Sequence, residues 1–216
     1  MMTNLFSVFD PCTGSLSLNW MSTFIILMMI PYKLWMTNNK TFFLINLIFK
    51  TLNKEMNMLM KYKGTSLIMI SLFIFILFNN LMGLMPYVFT SSAHLTFSLT
   101  LALPMWMALM LYGWITKTNS MFSHLVPSGT PGVLMPFMVM IETISNLIRP
   151  GSLAVRLTAN MIAGHLLMSL LGNSMTLTAM IITIVVFMIL MTFELAVALI
   201  QSYVFMTLMT LYSSEI

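Results

Sequence analysis

Ionisable side chains interrupt the apolar second half of the chain at positions where a charge is costly. The stretch 152–171, SLAVRLTANMIAGHLLMSLL, is apolar enough to lie in a membrane, yet it contains Arg156 and, nine residues later, His165. Glu142 precedes this stretch and Glu194 follows it. An arginine in hydrocarbon costs at least about 2.5 kcal/mol and keeps its proton, so it must face protein or water. It therefore indicates a functional site, the alternative being a structural ion pair with one of the two glutamates.

These residue types could carry a proton path that is divided in two. Carboxylates and imidazoles exchange protons near neutral pH once their surroundings shift the pKa, whereas an arginine does not. With Glu142 on one side of the membrane, His165 and Glu194 on the other, and Arg156 between them, protons could not pass straight through. They would need a moving carrier, such as a carboxylate on a separate, moving protein. For His165 alone, a hydrogen-bonded packing histidine remains the alternative.

Polar residues at helical spacing accompany these groups. Asn160 lies one turn after Arg156, and Gln201 lies two turns after Glu194, so each pair shares a helix face. Both amides could line the path or form a hydrogen bond between helices.

Arg149 is a further candidate. It lies seven residues after Glu142 and seven before Arg156, so the three share a face unless Pro150 rotates the helix. It could also be a residue that extends its charge to the membrane surface.

His94 and His124 lie at helix ends or in loops, so both are expected to be ordinary surface residues.

The composition excludes most soluble functions. Of 216 residues, 59% are hydrophobic and 6% are charged, whereas soluble domains carry about 25% charged residues. The net charge of +4 does not indicate nucleic-acid binding, because most lysines lie in one segment between helices. The single Cys12 excludes an internal disulfide, and we find no phosphate loop, metal-ligand spacing, nucleophile arrangement or N-terminal targeting peptide. No cofactor, metal or catalytic site of the chain's own is expected.

The apolar pattern predicts an all-α integral membrane protein of about six helices in a single domain, 1–216. The predicted segments are an N-terminal segment with a first span over 1–36, an amphipathic interfacial helix over 38–63, two spans within 65–115 (65–85 and 94–115), a turn-rich loop over 116–132, and a helical hairpin over 133–212.

The hairpin is predicted from two unusually long apolar runs. Residues 133–172 contain a single proline–glycine pair, Pro150–Gly151, and 175–212 contain no proline or glycine. A helix of that length is roughly 55 Å, against a hydrocarbon core of about 30 Å. We predict two long, strongly tilted helices, with Pro150 as a kink and Gly172–Asn173 as the turn between them.

Positive charge predicts the orientation. Lys33 and the segment 38–63 hold six of the nine basic residues, so this region should face the cytoplasm or matrix. The N-terminus and the hairpin turn then lie on the opposite side, and the C-terminus faces the matrix.

Several long motifs resemble subunit a of the F-type ATP synthase, in the form found in animal mitochondria. The matching stretches are LAVRLTANMIAGHLL (153–167), PYVFTSSAHLTFSLTLALPMW (86–106), HLVPSGTPGVLMPFMVMIETISNLIRP (124–150) and ELAVALIQSYVFMTLMTLY (194–212). The resemblance covers nearly the whole chain from residue 65 onward, and the first 64 residues match only in layout.

The resemblance implies a partner and a role for each site residue. The partner is a rotating ring of c subunits, each with a carboxylate at mid-membrane, beside other stator subunits in the mitochondrial inner membrane. Arg156, in RLTAN, matches the essential stator charge. His165 and Glu194 match the half-channel open to the intermembrane space, and Glu142 matches the half-channel open to the matrix. The matching polar positions near the arginine are Asn160 and Gln201.

Arg149 departs from the family pattern, because a neutral residue such as Gln is common at its position. The resemblance therefore assigns it no role.

Two other functions remain possible from the residues. A self-contained proton transporter would be favoured by an inverted repeat, which we do not find. A purely structural membrane subunit of a respiratory complex would leave the buried ionisable residues without a purpose.

Overall fold

The computed structural model describes residues 5–12, 17–25, 28, 39–60, 64–126, 129–173 and 180–215, and the regular elements in these ranges are helical. The α-helices are α1 (Lys40–Leu59), α2 (Thr65–Gly83), α3 (Leu95–Thr116), α4 (Thr118–His124), α5 (Met135–Asn173) and α6 (Met180–Glu215). Short 3-10 helices cover Leu5–Phe9, Leu18–Phe24, Ser91–Ala93 and Gly132–Leu134.

The two long helices predicted from the sequence are present. Helix α5 has 39 residues and α6 has 36, so each is about 54–59 Å long. Pro150 lies inside α5 and does not end it. Among the described segments, α2, α3, α5 and α6 are long and apolar enough to cross a membrane. The prediction of an all-α membrane protein is confirmed.

Two boundaries differ from the predictions. The predicted loop 116–132 contains helix α4, because TNSMFSH has neither proline nor glycine and the chain reaches its turn residues only at Pro127. Gly172 and Asn173, predicted as the hairpin turn, are the last residues of α5. The connection 174–179 lies outside the described residues, as does most of the predicted first span after Ile25.

The core is formed where the four long helices meet. Helix α2 packs mainly along α6, α3 packs along α5, and α5 packs along α6. Fully or nearly fully buried apolar side chains fill these contacts: Met69, Ile76, Ala102, Leu153, Ala154, Leu157, Phe205, Met206 and Met209. The core therefore holds α5 and α6 against α2 and α3.

Helix α1 has the amphipathic character expected of an interfacial helix. Its lysines are exposed, whereas Met56 is buried in the core, and the helix packs against α2 and α6. Just after the helix, the Met60 sulfur accepts a hydrogen bond from the Ser213 hydroxyl at 2.6 Å, near the end of α6. The lysine-rich segment and the C-terminus therefore lie at the same end of the bundle.

The N-terminal segment lies at the opposite end. The Trp20 ring packs 5.6 Å from the Phe89 ring, in the connection between α2 and α3. The Ser22 hydroxyl donates a hydrogen bond to the Phe89 carbonyl at 3.3 Å. The N-terminal segment and the C-terminus therefore lie at opposite ends of the bundle.

Overpacking the core should destabilise the bundle. Ala102 in α3 is completely buried, so Ala102→Leu should lower the free energy of unfolding by about 1–3 kcal/mol. The measurement is thermal unfolding of the purified membrane complex. Ala108→Leu is the matched control, since Ala108 is exposed on the same helix and should tolerate the larger side chain. Equal losses for the two variants would contradict this packing.

Candidate functional site

Arg156 lies exposed on the outer face of α5. No ion pair or hydrogen bond of its side chain is found among the described residues, and neither glutamate of the candidate site is its partner. Its face also carries Ser152, Ala159 and Ala163, all exposed. Small side chains at an exposed helix face allow another helix to approach closely. This face is therefore an unpartnered surface that presents a fixed positive charge.

Asn160 and Gln201 join the two long helices one turn from Arg156. The Asn160 side-chain nitrogen donates a hydrogen bond to the Gln201 side-chain oxygen at 3.0 Å. Gln201 is buried and Asn160 is half-buried. This bond fixes the antiparallel register of α5 and α6 next to the arginine.

Glu194 is buried on the same face of α6, two turns from Gln201. Its carboxyl group lies directly against Gly164 of α5, where a Cβ atom would overlap all three carboxyl atoms. Because glycine has no side chain, its presence at this position leaves room for the carboxyl group between the helices. His165 follows Gly164, so an imidazole and a carboxyl group occupy one level of the hairpin.

The His165 side chain is half-buried, and its Nε2 atom is buried without a hydrogen-bond partner among the described residues. The Phe9 ring packs edge-on against it, with 6.2 Å between the ring centroids. Phe9 is the last residue of the N-terminal 3-10 helix. The sequence pattern did not indicate its contact with His165. A buried ring nitrogen needs a polar partner, and a water molecule would satisfy it.

Other unpartnered polar atoms lie at this end of the bundle. They belong to Asn80 at the end of α2 and to Thr90, Ser92 and His94 in the connection to α3. This connection packs against α5. His94 was predicted to be a surface residue, but it is half-buried and stacks on the Phe89 ring at 5.2 Å, because aromatic residues from two segments cover it. None of these atoms has a hydrogen-bond partner among the described residues, and water at this end would supply one.

Glu142 lies toward the other end of α5 and forms an ion pair with Arg149. The Arg149 Nη2 atom donates to the Glu142 Oε1 atom at 3.4 Å, and both side chains are partly exposed. The guanidinium carbon lies 5.0 Å from the centre of the Tyr212 ring of α6. The seven-residue spacing therefore does place Glu142 and Arg149 on one face.

This ion pair lines a cavity of about 370 Å³ between α3, α4, α5 and α6. The polar side chains in its wall are Trp106, His124, Glu142, Asn146, Arg149 and Tyr212. The indole nitrogen of Trp106 is buried without a partner among the described residues, and water in the cavity would provide one. His124 was expected to be an ordinary surface residue. It is exposed, but α4 places it in this wall.

The site residues thus form two groups on either side of Arg156. Along α5, Glu142 lies about 21 Å before Arg156, and His165 lies about 14 Å after it. One group borders the open cavity and the other is packed between helices. No cluster of three or more metal-binding side chains is present in the described ranges. The arrangement can exchange protons at two separate levels, with a permanent cation between them.

Filling the space at Gly164 should displace Glu194. Gly164→Ala places a methyl group where the carboxyl group lies, and a displacement of about 1 Å can lower a rate by roughly a hundredfold. We expect proton flux through vesicles containing the membrane complex to fall at least about tenfold. Gly151→Ala is the control, because a Cβ atom there meets no other group within 4 Å. If both alanines act alike, the carboxyl position is not what matters.

Comparison with known proteins identifies the family. Residues 14–214 match the family model described as the ATP synthase A chain. The chain is 58% identical to ATP synthase subunit a of Anopheles quadrimaculatus over 225 residues, 59% identical to that of Drosophila mauritiana over 223, and 56% identical to that of Locusta migratoria over 224. Each comparison covers 100% of both chains. The chain belongs to the ATP synthase subunit a family, the proton-translocating stator subunits of the membrane sector, as the sequence motifs predicted.

Proposed function

We propose that this chain passes protons to and from carboxylates on a rotating ring of c subunits, and that Arg156 separates the two routes. The chain acts in the mitochondrial inner membrane as one part of a larger membrane sector, in contact with other stator subunits and with lipid. It couples proton flow to rotation of the ring, and rotation to ATP synthesis elsewhere in the complex.

The exposure of Arg156 is the observation that carries this proposal. A guanidinium that faces hydrocarbon would be strongly destabilising, and this one has no partner among the described residues of its own chain. A partner that carries negative charge must therefore cover it in the membrane. The small residues of its face suit a closely packed helix, and ring carboxylates at mid-membrane supply the charge.

The ring carboxylates would change their protonation state as they pass. In lipid a carboxyl group is stable only when it is neutral, whereas near a fixed cation it is stable as a carboxylate. A ring carboxyl group that arrives beside Arg156 therefore releases its proton. After passing the arginine it takes a new proton from the other route, and it can then enter the lipid.

The two routes are assigned to the two ends of the bundle. Protons from the intermembrane space reach the ring by way of His165 and Glu194, and protons leave toward the matrix by way of Glu142 and its cavity. The lysines of α1, together with Lys117 before the long helix α5, support this orientation. The N-terminus is toward the intermembrane space and the C-terminus toward the matrix. The single domain 1–216 carries both routes, and its hairpin lies strongly tilted across the bilayer.

Asn160 and Gln201 support the centre of this arrangement. Their hydrogen bond holds α6 against α5 one turn from the arginine. In our proposal they keep Glu194 and Arg156 in a constant spacing while the ring moves past.

Removing the charge of Arg156 should uncouple proton flow from rotation. Arg156→Ala should abolish proton-driven ATP synthesis while the complex still assembles, because the ring carboxylates lose the cation that makes them release protons. Ser152→Ala, one turn earlier on the same exposed face, should retain synthesis. The measurements are ATP synthesis and proton flux in vesicles containing the assembled complex. Coupled synthesis by Arg156→Ala would refute the proposed separation.

The intermembrane-space route can be tested separately. Glu194→Gln or His165→Ala should slow proton uptake, by about 10²- to 10⁴-fold for a group that transfers the proton itself. The rate should become most sensitive to the variant when protons on that side are scarce. The measurement is flux against the pH of the intermembrane-space side. Unchanged flux at limiting proton concentration would remove the altered residue from the path.

A further inference from the structure

Arg149 contacts residues on both long helices at the cavity. Its guanidinium donates to the Glu142 carboxylate of α5 at 3.4 Å and lies 5.0 Å from the centre of the Tyr212 ring of α6. We infer that Arg149 is a positioning residue, which holds the Glu142 carboxylate in the cavity wall and braces it against α6. This inference rests on the proposed role of Glu142 in proton release.

The helix geometry explains why this residue can reach both partners. Side chains of an α-helix point toward its N-terminus, so Arg149 extends back over two turns toward Glu142. A guanidinium is planar, which lets one face lie over an aromatic ring while its edge donates to a carboxylate. A lysine in the same place would retain the charge without the planar edge and face.

The surroundings give the ion pair a function beyond packing. Both side chains are only partly buried, and an ion pair of this exposure contributes little to stability. The pair instead lines the cavity that contains the unpartnered indole nitrogen of Trp106. Holding the carboxylate at this wall keeps it facing the cavity, through which a released proton would leave.

The contact with Tyr212 also joins the two helices of the hairpin at its open end. Near mid-helix, α5 and α6 are joined by the bond from Asn160 to Gln201, eleven residues after Arg149 along α5 and eleven before Tyr212 along α6. Arg149 and Tyr212 therefore meet at matching levels of the antiparallel pair. The brace keeps Glu142 at a constant height relative to α6 as well as α5.

A double-mutant cycle distinguishes positioning of Glu142 from general packing. Arg149→Met retains much of the side-chain volume and removes the charge and the planar edge. With the solution on the Glu142 side kept acidic, so that proton release limits the flux, we expect a fall of about fivefold. In a Glu142→Gln background the same change should alter flux by less than about twofold, because the group that it positions is already absent.

Three further variants test the geometry, and a fourth is a control. Arg149→Lys should recover part of the flux, and Tyr212→Leu should lower it more than Tyr212→Phe, which keeps the ring. Lys54→Gln removes one positive charge from the exposed face of α1 and controls for net charge. It should not lower the flux as Arg149→Met does.

Each outcome separates the inference from the proposed function. Equal losses for Arg149→Met in both backgrounds would overturn positioning and leave the role of Glu142 intact. Unchanged flux in Glu142→Gln alone would instead remove Glu142 from the path, whatever Arg149 does. If Arg149→Met fails to assemble, equal flux in Tyr212→Leu and Tyr212→Phe would overturn the inference that the contact with Tyr212 helps Arg149 to position Glu142.

Discussion

The arrangement of this chain depends on one cation that cannot lose its charge and that faces outward from a membrane helix. Most buried charges in proteins are neutralised by a proton or by a partner in the same chain, and a guanidinium has only the second choice. Glu142 is already paired with Arg149, and Glu194 lies against Gly164 about two turns away along α5. Among the described residues Arg156 therefore has no carboxylate partner, and we infer that a group outside the chain covers it.

In the proposed function, the register of the long hairpin places this one charge between the two proton routes. A direct amide–amide hydrogen bond fixes α5 against α6 beside the arginine, and Gly164, one turn beyond Asn160, makes room for a carboxyl group. Because both helices run unbroken for more than 35 residues, groups at their ends keep fixed distances from the centre. Broken helices would let the two proton-exchanging levels shift relative to Arg156. The site therefore requires that α5 and α6 remain unbroken, just as crossing the membrane does.

The sequence predicted the helices better than it predicted the contacts between them. Long apolar runs determine α5 and α6, and the seven-residue spacing places Glu142 and Arg149 on one face, since both are properties of a single helix. The contact of Phe9 with His165, the position of Tyr212 under Arg149, and the place of His124 in the cavity wall join segments far apart in sequence. Helical periodicity contains no information on which helices meet. His94 and His124 were accordingly expected at the surface, and α4 was expected to be a loop.

The two ends of the bundle differ in a way that suits their chemistry. At one end the carboxylate of Glu142 is partly exposed beside an open cavity, so water can accept a proton from it directly. At the other end Glu194 is buried, and polar atoms of His165, Asn80, Thr90 and Ser92 have no hydrogen-bond partner among the described residues, which individual water molecules would supply. In the proposed function, a proton there would be passed between a few fixed groups, whereas a proton at the cavity would disperse into many. Release and uptake would then occur in unlike surroundings, and a carrier on the outer face beside Arg156 would connect them.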